Sequence, residues 1–143
     1  MIMIIIYNFR GGDVMLNQSR HSRQREAILA LLKSTKLHPT ADWLFSELKK
    51  EFPNIGLATI YRNLKLFEEQ GLLIRIDVGD GFEHYDADTS DHYHFFCSDC
   101  RRVIDLDMPP LQFDDVLPDG FSSEHHQLVF FGKCNNCKTE LCS

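Results

Sequence analysis

Residues 57–86 read LATIYRNLKLFEEQGLLIRIDVGDGFEHYD, and the fold turns on the change of period inside this run. At the α-helical rotation, Leu57, Ile60, Leu64 and Phe67 fall within an arc of roughly 80°, a face fit for burial. Ala58, Arg62 and Lys65 point the opposite way, with Tyr61 at the border. Ile55 and Ile60 stand where a hydrophobic staple would place them, and Gly71 is a natural residue to follow the helix. The period then drops to two. Leu72 to Val78 alternates like a strand, Gly79-Asp80-Gly81 makes a turn, and Phe82 to Asp86 reads as the returning strand.

Two further helices precede this unit. Ile28, Leu29, Leu31 and Leu32 give the segment from Arg23 an apolar face, which loosens at Ser34-Thr35-Lys36. His38-Pro39-Thr40 starts the next, with Thr40 a good N-cap. Ala41, Leu44, Phe45, Leu48 and Phe52 form its stripe, and Pro53-Asn54 ends it. Helices joined by short turns and followed by a β-hairpin describe a winged helix-turn-helix. A small helical domain with no role on DNA is the alternative; a basic helix face beside a hairpin wing favours the former.

The whole chain has 143 residues, 43% of them hydrophobic, and a net charge of −6. Eleven phenylalanines supply material for packed cores, against wholesale disorder. No apolar run approaches the ~20 residues of a membrane-spanning helix. The acidity is divided. Residues 1–76 carry 11 basic and 7 acidic side chains, a balance of +4; residues 77–143 carry 4 and 14, a balance of −10. Five of seven histidines and all five cysteines lie in the acidic part. Contact with a polyanion in front and metal coordination behind is one reading, and chance asymmetry on a solvated surface the other.

Residues 1–14 look foreign to the rest. They lack a basic n-region and a cleavage site, and are read as a leader or disordered arm, with Met15 the expected start. Downstream, Tyr93–Phe96 and Val103–Leu106 read as short strands, and Phe121–Gly132 as a longer one. Met108 to Gly120, with three prolines, has room for one or two helical turns.

Two constellations carry chemistry. Cys97-Ser-Asp-Cys100 and Cys134-Asn-Asn-Cys137 are separated by 33 residues. Each such turn presents two thiolates on one side, and together they would close a tetrahedral shell selective for structural Zn²⁺. Free core thiols, disulfides or an iron–sulfur centre are the alternatives. Cys142 has no partner by spacing. The second constellation is His92-Tyr93-His94, whose imidazoles share one strand face, with Asp86 ending the hairpin, Asp105 on the following strand and His38 ahead of a helix. Three nitrogen and two oxygen donors suit Fe²⁺ or Mn²⁺ at least as well as Zn²⁺. His84, His125 and His126 read as surface or strand histidines.

Four motifs in this order, His38-Pro-Thr-Ala-Asp42, Leu57 to Leu64, Ser90-Asp-His-Tyr-His94 and the paired CxxC, resemble the ferric uptake regulator (Fur) family of metal-dependent repressors. The resemblance runs from about Leu16 to Cys137. It implies an α+β architecture: a winged-helix DNA-binding domain over 15–86, a hinge at 87–91, and a small α/β dimerisation domain over 92–143 holding the Cys₄ zinc. Within the family the sequence is similar to the peroxide-responsive PerR branch, whose regulatory metal site matches at His38, Asp86, His92, His94 and Asp105. Asp105 stands where iron sensors commonly have Glu, and no Cys lies near the hairpin end, where zinc sensors typically place one. The extra dimer-domain site of iron sensors is degraded, with Tyr93 at one ligand position.

What the resemblance implies is a cytoplasmic homodimeric repressor of a double-stranded DNA operator, not an enzyme and not membrane-bound. Tyr61 and Arg62 are its base-edge candidates, Arg20 a minor-groove residue, and Arg23, Arg25 and Lys65 phosphate contacts. Iron-catalysed oxidation of His38 and His92 by hydrogen peroxide would release the DNA. An iron- or manganese-responsive repressor without peroxide sensing is the runner-up. A small metallohydrolase using the same His/Asp site is a third reading, for which no general base is evident.

Overall fold

The computed structural model describes residues 20–113 and 116–139. Three helices come first: α1 (Arg20–Lys33), α2 (Ala41–Leu48) and α3 (Leu57–Glu69). The Thr40 hydroxyl accepts the Trp43 N–H at 3.3 Å, capping α2 as its position predicts. Helix α3 ends in a Schellman arrangement. The N–H of Gly71 (φ +68°) bonds the Glu68 carbonyl, and that of Leu72 bonds Phe67, so only a left-handed residue closes it cheaply. The apolar stripes converge: Ile28 and Leu32 of α1, Ala41, Leu44 and Leu48 of α2, and Ile60, Leu64 and Phe67 of α3 form one buried core, extended by Ile55, Leu73 and Tyr85.

The hairpin follows as β1 (Ile74–Asp77) and β2 (Glu83–Asp86), antiparallel, with Ile76 opposite His84. A second, three-stranded sheet has β3 (Tyr93–Cys97) at its centre. Strand β4 (Val103–Leu106) pairs with it antiparallel and β5 (Val129–Gly132) parallel, leaving β4 and β5 as edges. A short helix, α4 (Asn135–Lys138), follows the last strand.

Two features set the relation between the sheets. Ile76 and Val78 from the hairpin pack with Phe96 and Val103 from the second sheet in a separate buried cluster, each worth about 1.5–3 kcal/mol of transfer free energy. The Tyr85 N–H also bonds the Pro39 carbonyl at 3.1 Å, tying β2 to the segment entering α2. The ends of β2 and β3 and the start of α2 therefore meet at one place.

Three expectations are corrected. The strand ending at Gly132 begins only at Val129: among the described residues Phe121–Gln127 are exposed and form no ladder pairing, and pairing starts where the Leu128 carbonyl accepts the His94 N–H. No helix forms in the described part of 108–120. Pro109 and Pro110 cannot donate, and single turns (Val116 N–H to Phe113, Phe121 N–H to Pro118) take its place. The hairpin strands are shorter than their alternating patterns, because Leu72 is held by the α3 cap and Phe82 by the turn, its N–H on Asp80 Oδ1. The expectations for residues 1–14 and Cys142 lie outside the described residues.

Candidate metal centres

The four paired cysteines come together. Cys97 ends β3, Cys100 follows in the turn to β4, and Cys134 and Cys137 flank the start of α4. Cys97 Sγ lies 3.6 Å from Cys137 Sγ, and Cys100 Sγ 3.9 Å from Cys134 Sγ, and none of the four is in a disulfide. A tetrahedron of thiolates around Zn²⁺, with bonds of about 2.3 Å, has edges of about 3.8 Å, so the cluster fits that ion as it stands. Its polar surroundings favour thiolates. Hydrogen bonds from Arg102 hold the Cys100 thiol down to about 6, and backbone donors from Cys100 and Cys134 lower that of Cys97.

The second cluster gathers His38, Asp86, His92, His94 and Asp105, with one donor atom from each and all of these within 4.8 Å of one another. Asp86 Oδ2 lies 3.2 Å from His38 Nε2, 2.9 Å from His92 Nε2 and 3.1 Å from His94 Nε2. Asp105 Oδ1 stands 2.7, 3.2 and 3.5 Å from the same three nitrogens. An ion with near-octahedral bonds of about 2.1 Å has ligand–ligand edges of about 3 Å, and mixed imidazole and carboxylate donors suit Fe²⁺, Mn²⁺ or Zn²⁺.

The surroundings orient these donors. His38 Nδ1–H donates to the Val103 carbonyl at 3.1 Å and His92 Nδ1–H to the Ser90 carbonyl at 2.8 Å, which leaves Nε2 of each ring facing the centre. His38 is the most buried of the five, 2% exposed, and its backbone takes the left-handed region at φ +50°, a conformation costly for a side chain with Cβ and concentrated at functional sites. Burial alone would raise the Asp86 carboxyl, but hydrogen bonds from His38, His94 and the Asp88 N–H hold it far below the usual carboxylate range. For His38 and His92, burial works against the charge and is outweighed. Bonds to Asp86, and for His92 to Ser90, raise both above the ordinary imidazole value.

Sequence reasoning missed three neighbours of these sites. His84 is a strand histidine on β2, but a buried one, 7% exposed, with Nδ1–H donating to the His38 carbonyl at 3.0 Å. Lys36, two residues from His38, places its ammonium 3.6 Å from both Asp88 and Asp105. Asn63, buried on α3, donates to the Thr59 carbonyl and accepts from Arg25 Nε. None belongs to a spacing pattern, so only the fold reveals them.

On the outer face of α3, Ala58, Tyr61 (44% exposed), Arg62 and Lys65 are open to solvent as their helical phase predicts. Arg20, Arg23 and Arg25 lie exposed on α1, and a groove of about 550 Å³ between α1 and α3 is lined by Arg25, Arg62, Asn63 and Lys65 among others. The grip of Asn63 on Arg25 makes that cation a tie between the two helices as well as a candidate phosphate contact.

A sequence model of the Ferric uptake regulator family matches residues 17–131. The chain belongs to this family. It is thereby a metal-dependent DNA-binding regulator and not an enzyme. Among curated relatives, this Fur-family protein is 40% identical over 121 residues to the peroxide operon regulator of Bacillus subtilis, covering 82% of this chain and 83% of that one. Among solved structures it resembles the peroxide stress regulator of Campylobacter jejuni (TM-score 0.65, 31% identity, 85% of this chain and 93% of that one). It also resembles the ferric uptake regulator of Francisella tularensis with iron (TM-score 0.67, 27% identity, 91% and 97%). Among the described residues, no helix is long and apolar enough to cross a membrane.

Proposed function

We propose that this Fur-family protein is a homodimeric repressor that senses hydrogen peroxide through Fe²⁺ held by His38, Asp86, His92, His94 and Asp105, with Cys97, Cys100, Cys134 and Cys137 holding a structural Zn²⁺. The observation that carries this reading is the convergence of five donor atoms from both halves of the chain, His38 from the helical part and Asp105 from the second sheet. An ion stabilises only the arrangement that presents all its ligands, so binding favours the state in which the halves are locked together. Residues 87–91 serve as the hinge between a DNA-binding domain over 15–86 and a metal-binding dimerisation domain over 92–143.

On DNA, Tyr61 and Arg62 reach base edges, Arg20 enters the minor groove, and Arg23, Arg25 and Lys65 meet phosphate. The dimer face is supported by β5, an edge strand whose Phe130 and Phe131 are 41% and 62% exposed; Val116, Leu117 and Phe121 are exposed as well. Cysteines outside any disulfide, set at metal-binding spacing, suit the reducing cytoplasm.

Peroxide sensing is supported by the names of the relatives and by the donor set. When bound, Fe²⁺ supplies the reducing power that activates peroxide beside its ligands. We assign His38 and His92 as the rings oxidised: a ring C–H gains one oxygen atom of H₂O₂ and the other departs as water. A 2-oxo-imidazole is a poorer ligand, so the lock is lost and DNA is released. Mass spectrometry of the Fe²⁺-loaded protein after dilute peroxide should find +16 Da on peptides carrying His38 or His92, absent when Mn²⁺ replaces iron. DNA release by peroxide that is equal in both metal forms, or absent in both, would leave only a metal-responsive repressor.

A further inference from the structure

Outside the five donors, one buried set of polar side chains has no role in the reading so far. His84 sits on β2 with both ring nitrogens engaged. Nδ1–H donates to the His38 carbonyl, and Nε2 lies 3.1 Å from Asp80 Oδ2. Asp80 occupies the hairpin turn, where a side chain ordinarily faces water, yet its carboxylate is only 5% exposed. The turn is bent by Gly79 (φ +72°) and Gly81 (φ +88°), conformations that residues with Cβ rarely adopt, and this shape folds Asp80 back over the hairpin. The same Oδ2 lies 3.8 Å from the Arg101 guanidinium, which also stacks over the Phe96 ring at 5.3 Å. Arg101 directly follows Cys100 and is itself held at φ +61°.

An unbroken line of contacts thus runs from the first cysteine turn through Arg101, Asp80 and His84 to the backbone of His38. It ends on the residue whose left-handed conformation most needs support. Without the His84 bond, the His38 carbonyl would lose a buried donor and the backbone could relax toward φ below zero, swinging the imidazole away from Asp86 and Asp105.

We propose that His84 is a positioning residue for the regulatory metal, anchored by Asp80 and Arg101, and that it preorganises His38 for ligation. The inference rests on the assignment of His38 as a ligand. It gives the hairpin turn and the cysteine turn a share in setting regulatory-metal affinity although neither touches that ion. Groups surrounding a metal ligand commonly alter affinity by 10–100-fold, and that range sets the expectation.

The test is Mn²⁺ affinity of the full-length, zinc-loaded protein, read by calorimetry, with zinc content and far-UV circular dichroism measured on each variant. His84→Phe, which keeps the ring volume and loses both bonds, should weaken Mn²⁺ binding at least tenfold with zinc and helicity unchanged. His84→Gln, able to donate one amide N–H to the His38 carbonyl, should recover part of the loss. Asp80→Asn and Arg101→Ala should each weaken binding by roughly threefold, and neither should add to the effect of His84→Phe, because all three act through one contact. Wild-type affinity in His84→Phe overturns the proposal. Should that variant misfold, wild-type affinity in the Asp80→Asn, Arg101→Ala double variant does so. His92→Ala separates the two readings. If it retains wild-type Mn²⁺ affinity, the assignment of the regulatory site fails; if it loses binding while His84→Phe does not, the positioning role alone fails.

Discussion

His38 Nε2 stands 2.7 Å from Asp105 Oδ1, although the two are 67 positions apart in the chain. One belongs to the segment entering α2 and the other to β4. Nothing local in sequence could bring them together. Their approach depends on the hairpin packing of Ile76 and Val78 against Phe96 and Val103, and on β2 gripping Pro39. The site is a product of the way the two halves meet.

Breaking that junction should uncouple metal from DNA. His38→Ala is expected to lose regulatory-metal binding while retaining one zinc per protomer. Its DNA affinity in saturating Mn²⁺ should fall to that of the wild-type protein without Mn²⁺. Fluorescence anisotropy with an operator duplex, titrated with and without the ion, gives the comparison. Wild-type response to Mn²⁺ in this variant would contradict the lock.

The four thiols should behave as one unit. Cys100→Ser removes the ligand whose thiolate Arg102 stabilises, and an incomplete shell should release the ion. Binding of structural zinc is worth on the order of 10 kcal/mol and is coupled to folding, so the second sheet should lose cooperative melting in this variant. Zinc content and a thermal melt by circular dichroism check this. Full zinc occupancy would be the contrary result.

Protonation should oppose the regulatory ion. Against the opposing effect of burial, His38 is raised above the ordinary imidazole value by Asp86, and His92 by the Ser90 carbonyl and then Asp86. A group raised on folding adds stability in full below its unfolded value, near 6.5, and the contribution fades as pH climbs through the folded value. The protein without regulatory metal should therefore melt lower at pH 8 than at pH 6.5. Asp86 is shifted the other way, and its contribution persists throughout this window, failing only in strong acid. Mn²⁺ must displace the protons on these two rings, so its apparent affinity should rise with pH across the window. A pH series of calorimetric titrations tests both; affinity independent of pH would argue against imidazole ligation.

Arg62 and Lys65 should fail differently on DNA. Truncating an arginine that reads a base edge costs about 1–3 kcal/mol and blurs discrimination at one position. Loss of a phosphate contact weakens all sequences alike and lowers the salt slope by about one. Arg62→Ala is expected to behave in the first way and Lys65→Ala in the second, measured by binding to operator and scrambled duplexes over a salt series.

Much of this was legible in the sequence. The helical phase of Leu57 to Phe67 marked both the buried and the basic faces of α3, and Gly71 marked its end, because periodicity and capping are local properties. The CxxC pairs announced a tetrahedral cluster since each turn fixes two thiols by itself. The five-donor site was legible only by joining separate motifs and by family resemblance. His84, read as a surface or strand histidine, does lie on a strand; its contacts were illegible because burial of a strand residue depends on what packs against it, here the turn at Asp80 and the His38 backbone. The strand expected from Phe121 shrank to Val129–Gly132 because pairing needs a neighbour, which the sequence does not show.

A single atom, Asp86 Oδ2, accepts all three imidazoles. Rotation of that one carboxyl would disturb every ring at once and leave Asp105 as their shared partner, and damage to any one ring unbalances the partners of the other two. A protomer so built has little room for half-measures: its answer to an insult is closer to a fuse than to a dial, and graded output must come from how many copies have blown.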